Sequence, residues 1–225
     1  MRVLVAGASG VVGRSLLPVL VKAGYTVFGM NRSAEKRGQV EAMGAEHIAA
    51  DALDREAVIS AIARVRPDVV IHELTAIPQE IDLRKFEQQF ALTNRLRTEG
   101  TANLLEAALA AGARKFIAQS YAGWPYARVG GPVKTEDDPL DPNPPNVFRT
   151  GLAAIRYLES TVPQAKGIEG VVLRYGAFYG PGTSGAWMLD QVRKHRLPII
   201  GNGGAVWSFI HMDDVASATL AAVEN

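Results

Sequence analysis

Apolar residues in this chain come in short runs separated by stretches of helical periodicity. Val3–Ala6, Thr26–Met30, His47–Ala50, Val69–His72, Phe116–Gln119 and Val171–Arg174 read as strands. Most are continuous apolar runs, as strands buried on both faces should be. Between them, spacing of three and four predicts helices over Val12–Ala23, Ala34–Met43, Arg55–Arg64, Leu83–Ala111 and Thr150–Thr161. Strict alternation of this kind predicts right-handed βαβ units, hence an α/β fold built on a doubly wound, Rossmann-type parallel sheet with helices on both faces.

Two segments break the alternation. Gly123–Val147 carries Gly130-Gly131 and a proline-rich end, Pro139 to Pro145, and is read as non-helical. Tyr179–Trp207 holds Gly180-Pro181-Gly182 and Gly201-Asn202-Gly203-Gly204. Both should leave the C-terminal edge of the sheet, where ligands bind in open α/β folds. The expectation is a single domain over residues 1–225 with a small substrate lobe made of these two insertions. That lobe is expected to be either short or incomplete toward Asn225.

Composition narrows the chemistry. The net charge of +1 offers no broad field for nucleic acid or anionic lipid. The chain has no cysteine, so disulfides and thiolate chemistry are excluded. The N-terminus reads as a core strand rather than a signal peptide, and no apolar run is long enough to span a bilayer. The expectation is a cytoplasmic protein with a small-molecule substrate, no nucleic acid and no membrane. The four histidines lack ligand spacing and no metal is expected.

The first strand runs straight into Ala6-Gly7-Ala8-Ser9-Gly10-Val11-Val12-Gly13 and then a helix. Gly7 suits a tight turn, Gly10 lets backbone approach a phosphate, and Gly13 brings helix and strand together. Ser9, Val11 and Val12 complete a loop whose amides face a pyrophosphate at the positive end of a helix dipole. After the second strand stand Asn31, Arg32 and Ser33, with no carboxylate to take a ribose diol. A guanidinium there suits the 2′-phosphate of NADP, so NADP is preferred, with NAD the alternative. Asp51 reads either as an adenine acceptor or as an ordinary loop or cap residue.

These stretches, with AADALD (Ala49–Asp54), DVVIHELTA (Asp68–Ala76), EGTANLLEAA (Glu99–Ala108), VVLRYGAFYGPG (Val171–Gly182) and SFIHMDDVA (Ser208–Ala216), resemble an extended short-chain dehydrogenase/reductase of the NAD-dependent epimerase/dehydratase type. The resemblance implies cofactor contacts at Ser9 to Val12, Arg32, Asp51, Ala52, Leu74, Thr75 and Ala76. It also implies contacts near the nicotinamide from Gln119, Ser120 and Tyr175, and makes His211–Asp214 a strand end and helix start with Asp213 or Asp214 as the N-cap. The long helix is open to dimer pairing, as in many relatives, or to core packing.

The resemblance fails at the usual catalytic pair. Such enzymes carry Tyr-x-x-x-Lys on the helix after the fifth strand; here Val147 and Gly151 occupy those positions, and no lysine lies between Lys134 and Lys166. The family's asparagine before Gly100-Thr101 is replaced by Arg97, with Asn94 a turn earlier. Ser120 and Tyr121 are the candidate catalytic residues. A tyrosine beside Arg149 or Arg174 would have a depressed pKa and take over the acid/base role. The function expected is an NADP-preferring oxidoreductase or epimerase acting on a polar carbonyl or nucleotide-sugar-like compound. The competing reading is an inactive NADP(H)-binding sensor or scaffold.

Overall fold

The computed structural model describes residues 1–78, 80–197, 201–204 and 206–225. Residues 198–200 and 205 of the expected lobe therefore lie outside the described residues. Six parallel strands form one sheet: β1 (Arg2–Ala6), β2 (Thr26–Asn31), β3 (Glu46–Ala49), β4 (Val69–His72), β5 (Lys115–Tyr121) and β6 (Glu169–Tyr175). Their spatial order is β3-β2-β1-β4-β5-β6. Every pairing is parallel, so each strand needs a crossover, and the helices supply it.

Both faces of the sheet are apolar, which is why the strands do not alternate with polar residues. Leu4 and Ala6 pack with Val58 and Ile62 of α3 (Arg55–Val65) and Leu104 of α5 (Thr101–Ala110). Val3 and Val5 pack on the opposite face with Leu16, Leu17 and Leu20 of α1 (Val11–Lys22) and Val223 of α8 (Met212–Glu224). Those three leucines are fully buried, and each contributes about 2 kcal/mol on transfer from water.

Several boundaries differ from expectation for local reasons. The segment Ala34–Met43 begins as a 3₁₀ turn (Ala34–Lys36), and only Arg37–Glu41 (α2) is α-helical. The long fourth helix contains a π-helical turn, Leu96–Gly100, between α4 (Phe86–Arg95) and α5. His72 at the end of β4 reaches that turn, its Nε2 lying 3.2 Å from the Leu96 carbonyl and 3.1 Å from Thr101 Oγ1. α6 (Asn146–Thr161) starts directly after Pro145, so Val147 is helical and not part of the loop. The prolines exclude helix only up to that cap.

The segment read as glycine-rich lobe also carries regular structure. β7 (Ala177–Tyr179) pairs in parallel with β8 (Phe209–His211), and α7 (Gly185–Arg193) lies between them. α8 is capped by His211, whose Nδ1 accepts from the Asp213 amide at 3.2 Å, rather than by Asp213 or Asp214. Among the described residues no helix is long and apolar enough to cross a membrane.

Candidate active site

The strand order reverses between β1 and β4, and the glycine turn leaves β1 at that crevice. Gly7 has φ +97°, and a Cβ there would sit 2.8 Å from the Glu73 carbonyl oxygen. A Cβ on Gly13 would lie 2.4 Å from the Ala8 carbonyl oxygen and 2.5 Å from that of Gly7. Only glycine fits either place. The Gly7 and Ala8 amides donate to the Met30 carbonyl at 2.9 and 3.3 Å, tying the turn to β2. Gly10 stands at the N-cap of α1 with extended backbone and no side-chain cap. The first-turn amides of α1 have no intrahelical acceptor, and the helix dipole adds positive potential there. A loop held tight, stripped of Cβ atoms and ending in an uncapped helix fits a pyrophosphate.

The other expected contacts follow the C-terminal ends of neighbouring strands. Asn31 is buried, with Oδ1 3.1 Å from His47 Nε2, while Arg32 beside it is exposed and Ser33 half-buried. Asp51 Oδ1 accepts from the Leu53 amide, and the buried Ala52 has its carbonyl held by Asn103 Nδ2. The loop after β4 is pinned at both ends. The Leu74 amide donates to His72 Nδ1, and the Ala76 amide to Thr93 Oγ1, with Thr75 between them. Gln119 and Ser120 lie in β5 itself, which runs on to Tyr121. Thus the residues after β1 to β5 share one edge. The phenol of Tyr175 turns away from it. It is only 3% exposed and bonds Thr219 Oγ1 of α8 at 2.6 Å.

Next to Ser120 lies a buried ionic cluster. Ser120 Oγ donates to Glu159 Oε1 at 2.5 Å. Arg174 donates to the same carboxylate through Nε (3.0 Å) and Nη2 (2.7 Å), and through Nη1 to the Tyr126 hydroxyl (3.3 Å). Arg97, on the π turn, is 7% exposed. Burial lowers its pKa to about 10, against the opposing pull of Glu159 and Tyr121. Glu159 escaped the sequence reading although a signal was present. It lies on the inward stripe of α6, four residues after Ile155 and seven after Leu152, where an apolar residue belongs.

No tyrosine with a depressed pKa emerges at Tyr121 or Tyr175. Burial pushes both phenols up; at Tyr121 the Trp207 hydrogen bond and the Arg97 charge oppose it without winning. Tyr126, not Tyr121, is the tyrosine lying against Arg174, with the guanidinium 5.3 Å from its ring centre. Arg149 instead bonds Asn146.

The place of the missing lysine holds no base, although a side chain would find ordinary van der Waals room at its root. A Cβ on Gly151 would lie 3.7 Å from both Asn94 Oδ1 and the Trp124 ring. Trp124 stacks on Phe148 (centroids 4.9 Å apart), which meets Phe86 edge-on at 4.9 Å. Asn94 Oδ1 is buried and has no partner among the described residues. No group of three or more His, Asp or Glu is placed to hold a metal ion among the described residues.

A parallel sheet in this order, with a glycine cradle at its switch point, defines a nicotinamide-dinucleotide enzyme of the short-chain dehydrogenase/reductase kind. The sequence model of the NAD dependent epimerase/dehydratase family matches residues 3–225, and the chain belongs to that family. It is 44% identical over 230 residues to a 3-diazoavenalumate denitrifying reductase of a Streptomyces species, covering 100% of this chain and 73% of the relative. Its fold is similar to the UDP-glucose 4-epimerase of Thermus thermophilus in complex with NAD (TM-score 0.78, 27% identity, 100% of this chain and 75% of that one). It is also similar to a UDP-glucuronic acid 4-epimerase of Bacillus cereus in complex with UDP-glucuronic acid and NAD (TM-score 0.77, 26% identity, 100% and 74%). The chain is accordingly an NAD(P)-dependent oxidoreductase or epimerase-type enzyme rather than a bare binding module.

Proposed function

We propose that this enzyme is an NADP(H)-dependent reductase whose acceptor is an aryl diazonium group rather than a carbonyl. The observation that carries the reading is the missing pair: Val147 and Gly151, at the tyrosine and lysine positions of the family, supply no acid or base. When bound, the reduced cofactor supplies a hydride equivalent. A ketone takes up hydride and a proton together, so it needs an acid in the site. A diazonium cation and a hydride together equal an arene and dinitrogen, with no proton drawn from the protein. The 44% relative, itself named for a diazo compound and a reductive loss of nitrogen, supports this over the epimerases at lower identity.

The cofactor would be held by Gly7, Ser9, Gly10, Val11, Val12 and Gly13 at the pyrophosphate. Arg32, with Asn31 and Ser33, would take the 2′-phosphate, because the exposed guanidinium has no carboxylate beside it on β2. Asp51 and Ala52 would face the adenine, and Leu74 to Ala76 the ribose side. Gln119 and Ser120 would border the nicotinamide, with Tyr175 supporting that edge from below. Of the two catalytic candidates, Ser120 holds Glu159, while Tyr121 stays protonated and orients substrate as a neutral donor. The insertions Gly123–Val147 and Tyr179–Trp207 form the substrate side of one 1–225 domain; a Cβ on Gly182 would come within 3.3 Å of Arg14 Nη2 on α1. A groove of about 630 Å³ between α4 and α6, lined by Ala91, Thr98, Ala153 and Tyr157 among others, suits a homodimer through those helices.

The test is NADPH consumption and dinitrogen release with a panel of aryl diazonium salts, beside a panel of ketones and nucleotide sugars. Stoichiometric dinitrogen and arene, above the protein-free rate, are expected. Turnover confined to carbonyl compounds would replace the diazo reading with the carbonyl one.

A further inference from the structure

At the end of β4 two successive side chains leave the sheet on opposite faces. His72 turns to the π turn, its Nε2 against the Leu96 carbonyl and Thr101 Oγ1. The Glu73 amide continues the ladder, donating to the Ala6 carbonyl at 2.9 Å, so the alternation of a strand carries on through it. Glu73 thus turns to the face of α1 and α8, where Val12, Tyr175, Met212 and Val215 form an apolar cluster. The Tyr175 phenol registers its charge there. Glu73 is 5% exposed, and neither carboxyl oxygen has a partner among the described residues. A carboxylate without a partner is costly in such a place and takes up a proton instead; burial raises its pKa to about 8.

No neighbouring cation offsets this. Tyr175 on β6 is neutral and bonded to Thr219 Oγ1. Tyr121 on β5 is acted on by Trp207 and Arg97 rather than by Glu73. α1 brings Arg14, which is exposed and donates to the Ser9 carbonyl at 3.1 Å. At the start of α8, Asp213 and Asp214 are exposed, and His211 Nδ1 accepts from the Asp213 amide. The glycine turn itself carries no titratable side chain.

That turn rests directly on the Glu73 backbone. A Cβ on Gly7 would sit 2.8 Å from the Glu73 carbonyl oxygen, 2.9 Å from its carbonyl carbon and 3.2 Å from the Leu74 nitrogen. The Leu74 amide is in turn tied to His72 Nδ1 at 3.2 Å. Backbone meets backbone without slack, so Glu73 cannot carry a charge out toward water without shifting the turn. An ionised Glu73 would also repel the phosphates that the turn holds.

We propose that Glu73 is a positioning residue of the dinucleotide cradle that works only as the neutral acid, so that binding of the anionic dinucleotide takes up a proton and weakens when Glu73 ionises. The inference goes beyond the diazo reading. It rests on the glycine turn as the pyrophosphate site and is indifferent to the acceptor.

The experiment is calorimetric titration of the full chain with NADP+ and with NAD+ from about pH 7 to 9, a range in which the 2′-phosphate, whose second ionisation lies near 6, is largely ionised. Both nucleotides are expected to bind about five- to tenfold more weakly at the upper end, with the decline setting in near 8. Repeating the titration at the midpoint in buffers of different ionisation heat should show uptake of roughly half a proton per nucleotide bound. In Glu73→Gln both the decline and the proton uptake should vanish. Glu73→Met, which places an apolar chain in the same cluster, should be equally flat, so the result does not hang on one variant. Unchanged affinity across the range in the unaltered protein, or a decline that persists in both variants, overturns the proposal while leaving the cradle in place. Failure of both nucleotides to bind at any pH removes the pyrophosphate reading, and the role of Glu73 with it.

Discussion

Ser120 donates its hydroxyl hydrogen to Glu159 across 2.5 Å, and that carboxylate is gripped at the same time by the Nε–Nη2 edge of Arg174. The serine is 1% exposed. Its hydroxyl can still accept a hydrogen bond but has no second proton to offer. Its physical task is to hold Glu159 between two cations. Ser120→Ala should therefore cost about 1 kcal/mol of stability and change kcat less than tenfold. Glu159→Gln leaves Arg97 and Arg174 without their carboxylate and should cost more, about 2–4 kcal/mol. Urea unfolding of both variants checks the order; a larger loss in Ser120→Ala would contradict it.

Tyr121 separates the two chemistries. Burial raises its phenol pKa, so it stays protonated through neutral and moderately alkaline pH. If the acceptor takes no proton, Tyr121→Phe removes only an orienting hydrogen bond. KM should then rise several-fold while kcat stays within about threefold, and kcat should be flat with pH across the neutral range. If Tyr121 delivered a proton to a carbonyl, kcat itself would fall by about a hundredfold or more. Steady-state kinetics of Tyr121→Phe decides.

Glu73 and His72 are chain neighbours with opposite pH demands. Glu73 is 5% exposed, neither carboxyl oxygen has a partner among the described residues, and burial lifts its pKa from 4.5 to about 8. Between those values the folded protein holds a proton that the unfolded chain has lost. Its stabilising share is complete below 4.5 and is lost as pH rises through about 8. For His72, burial lowers the pKa from 6.5 to about 4, so its share is complete above 6.5 and is lost as pH falls toward 4. Glu73→Gln fixes the neutral form. Its stability should match wild type in acid and exceed it by a few kcal/mol, on the order of 3–5, at alkaline pH. Thermal unfolding of both proteins across pH tests this; parallel curves would rule it out.

Arg32 should set cofactor choice. Arg32→Ala is expected to weaken NADPH binding about ten- to a hundredfold, the weight of a lost charge-assisted contact to phosphate, and to leave NADH unchanged. Fluorescence titration with both nucleotides measures it, and equal losses for the two would remove Arg32 from the 2′-phosphate.

The sheet was legible because its strands are buried on both faces, and unbroken apolar runs such as VLVA and VVIH leave few alternatives. The cradle was legible because Gly7 and Gly13 answer steric demands that no other residue meets. The cluster around Glu159 was only half legible. Ser120 and Arg174 lie on strands whose direction can be read, but their partner sits on the crossover helix, 39 residues from Ser120 and 15 from Arg174. Arg97 was visible as a departure from the family's asparagine. Its burial depends on the π turn, which adds a residue to the helical repeat and so lies beyond any 3.6-residue pattern. β7 escaped because a three-residue strand between glycines carries almost no periodicity.

Two glycines separate close approach from backbone conformation. At Gly13 an added Cβ would overlap the Ala8 and Gly7 carbonyl oxygens at 2.4 and 2.5 Å, both rigid backbone of the cradle. At Gly24 the backbone has φ +86°, but nothing lies within 4 Å of the added carbon. Gly24→Ala should therefore cost only the left-handed conformation, about 1–2 kcal/mol, and leave nucleotide binding untouched. Gly13→Ala must push α1 away from the turn, which misplaces the amides that would face the pyrophosphate. It should lose stability by about 2 kcal/mol or more and dinucleotide affinity by at least tenfold. Calorimetric titration of both variants with NADP+ makes the comparison. If Gly24→Ala weakened binding as much as Gly13→Ala, the loss would trace to general destabilisation and the cradle would have no special part in it.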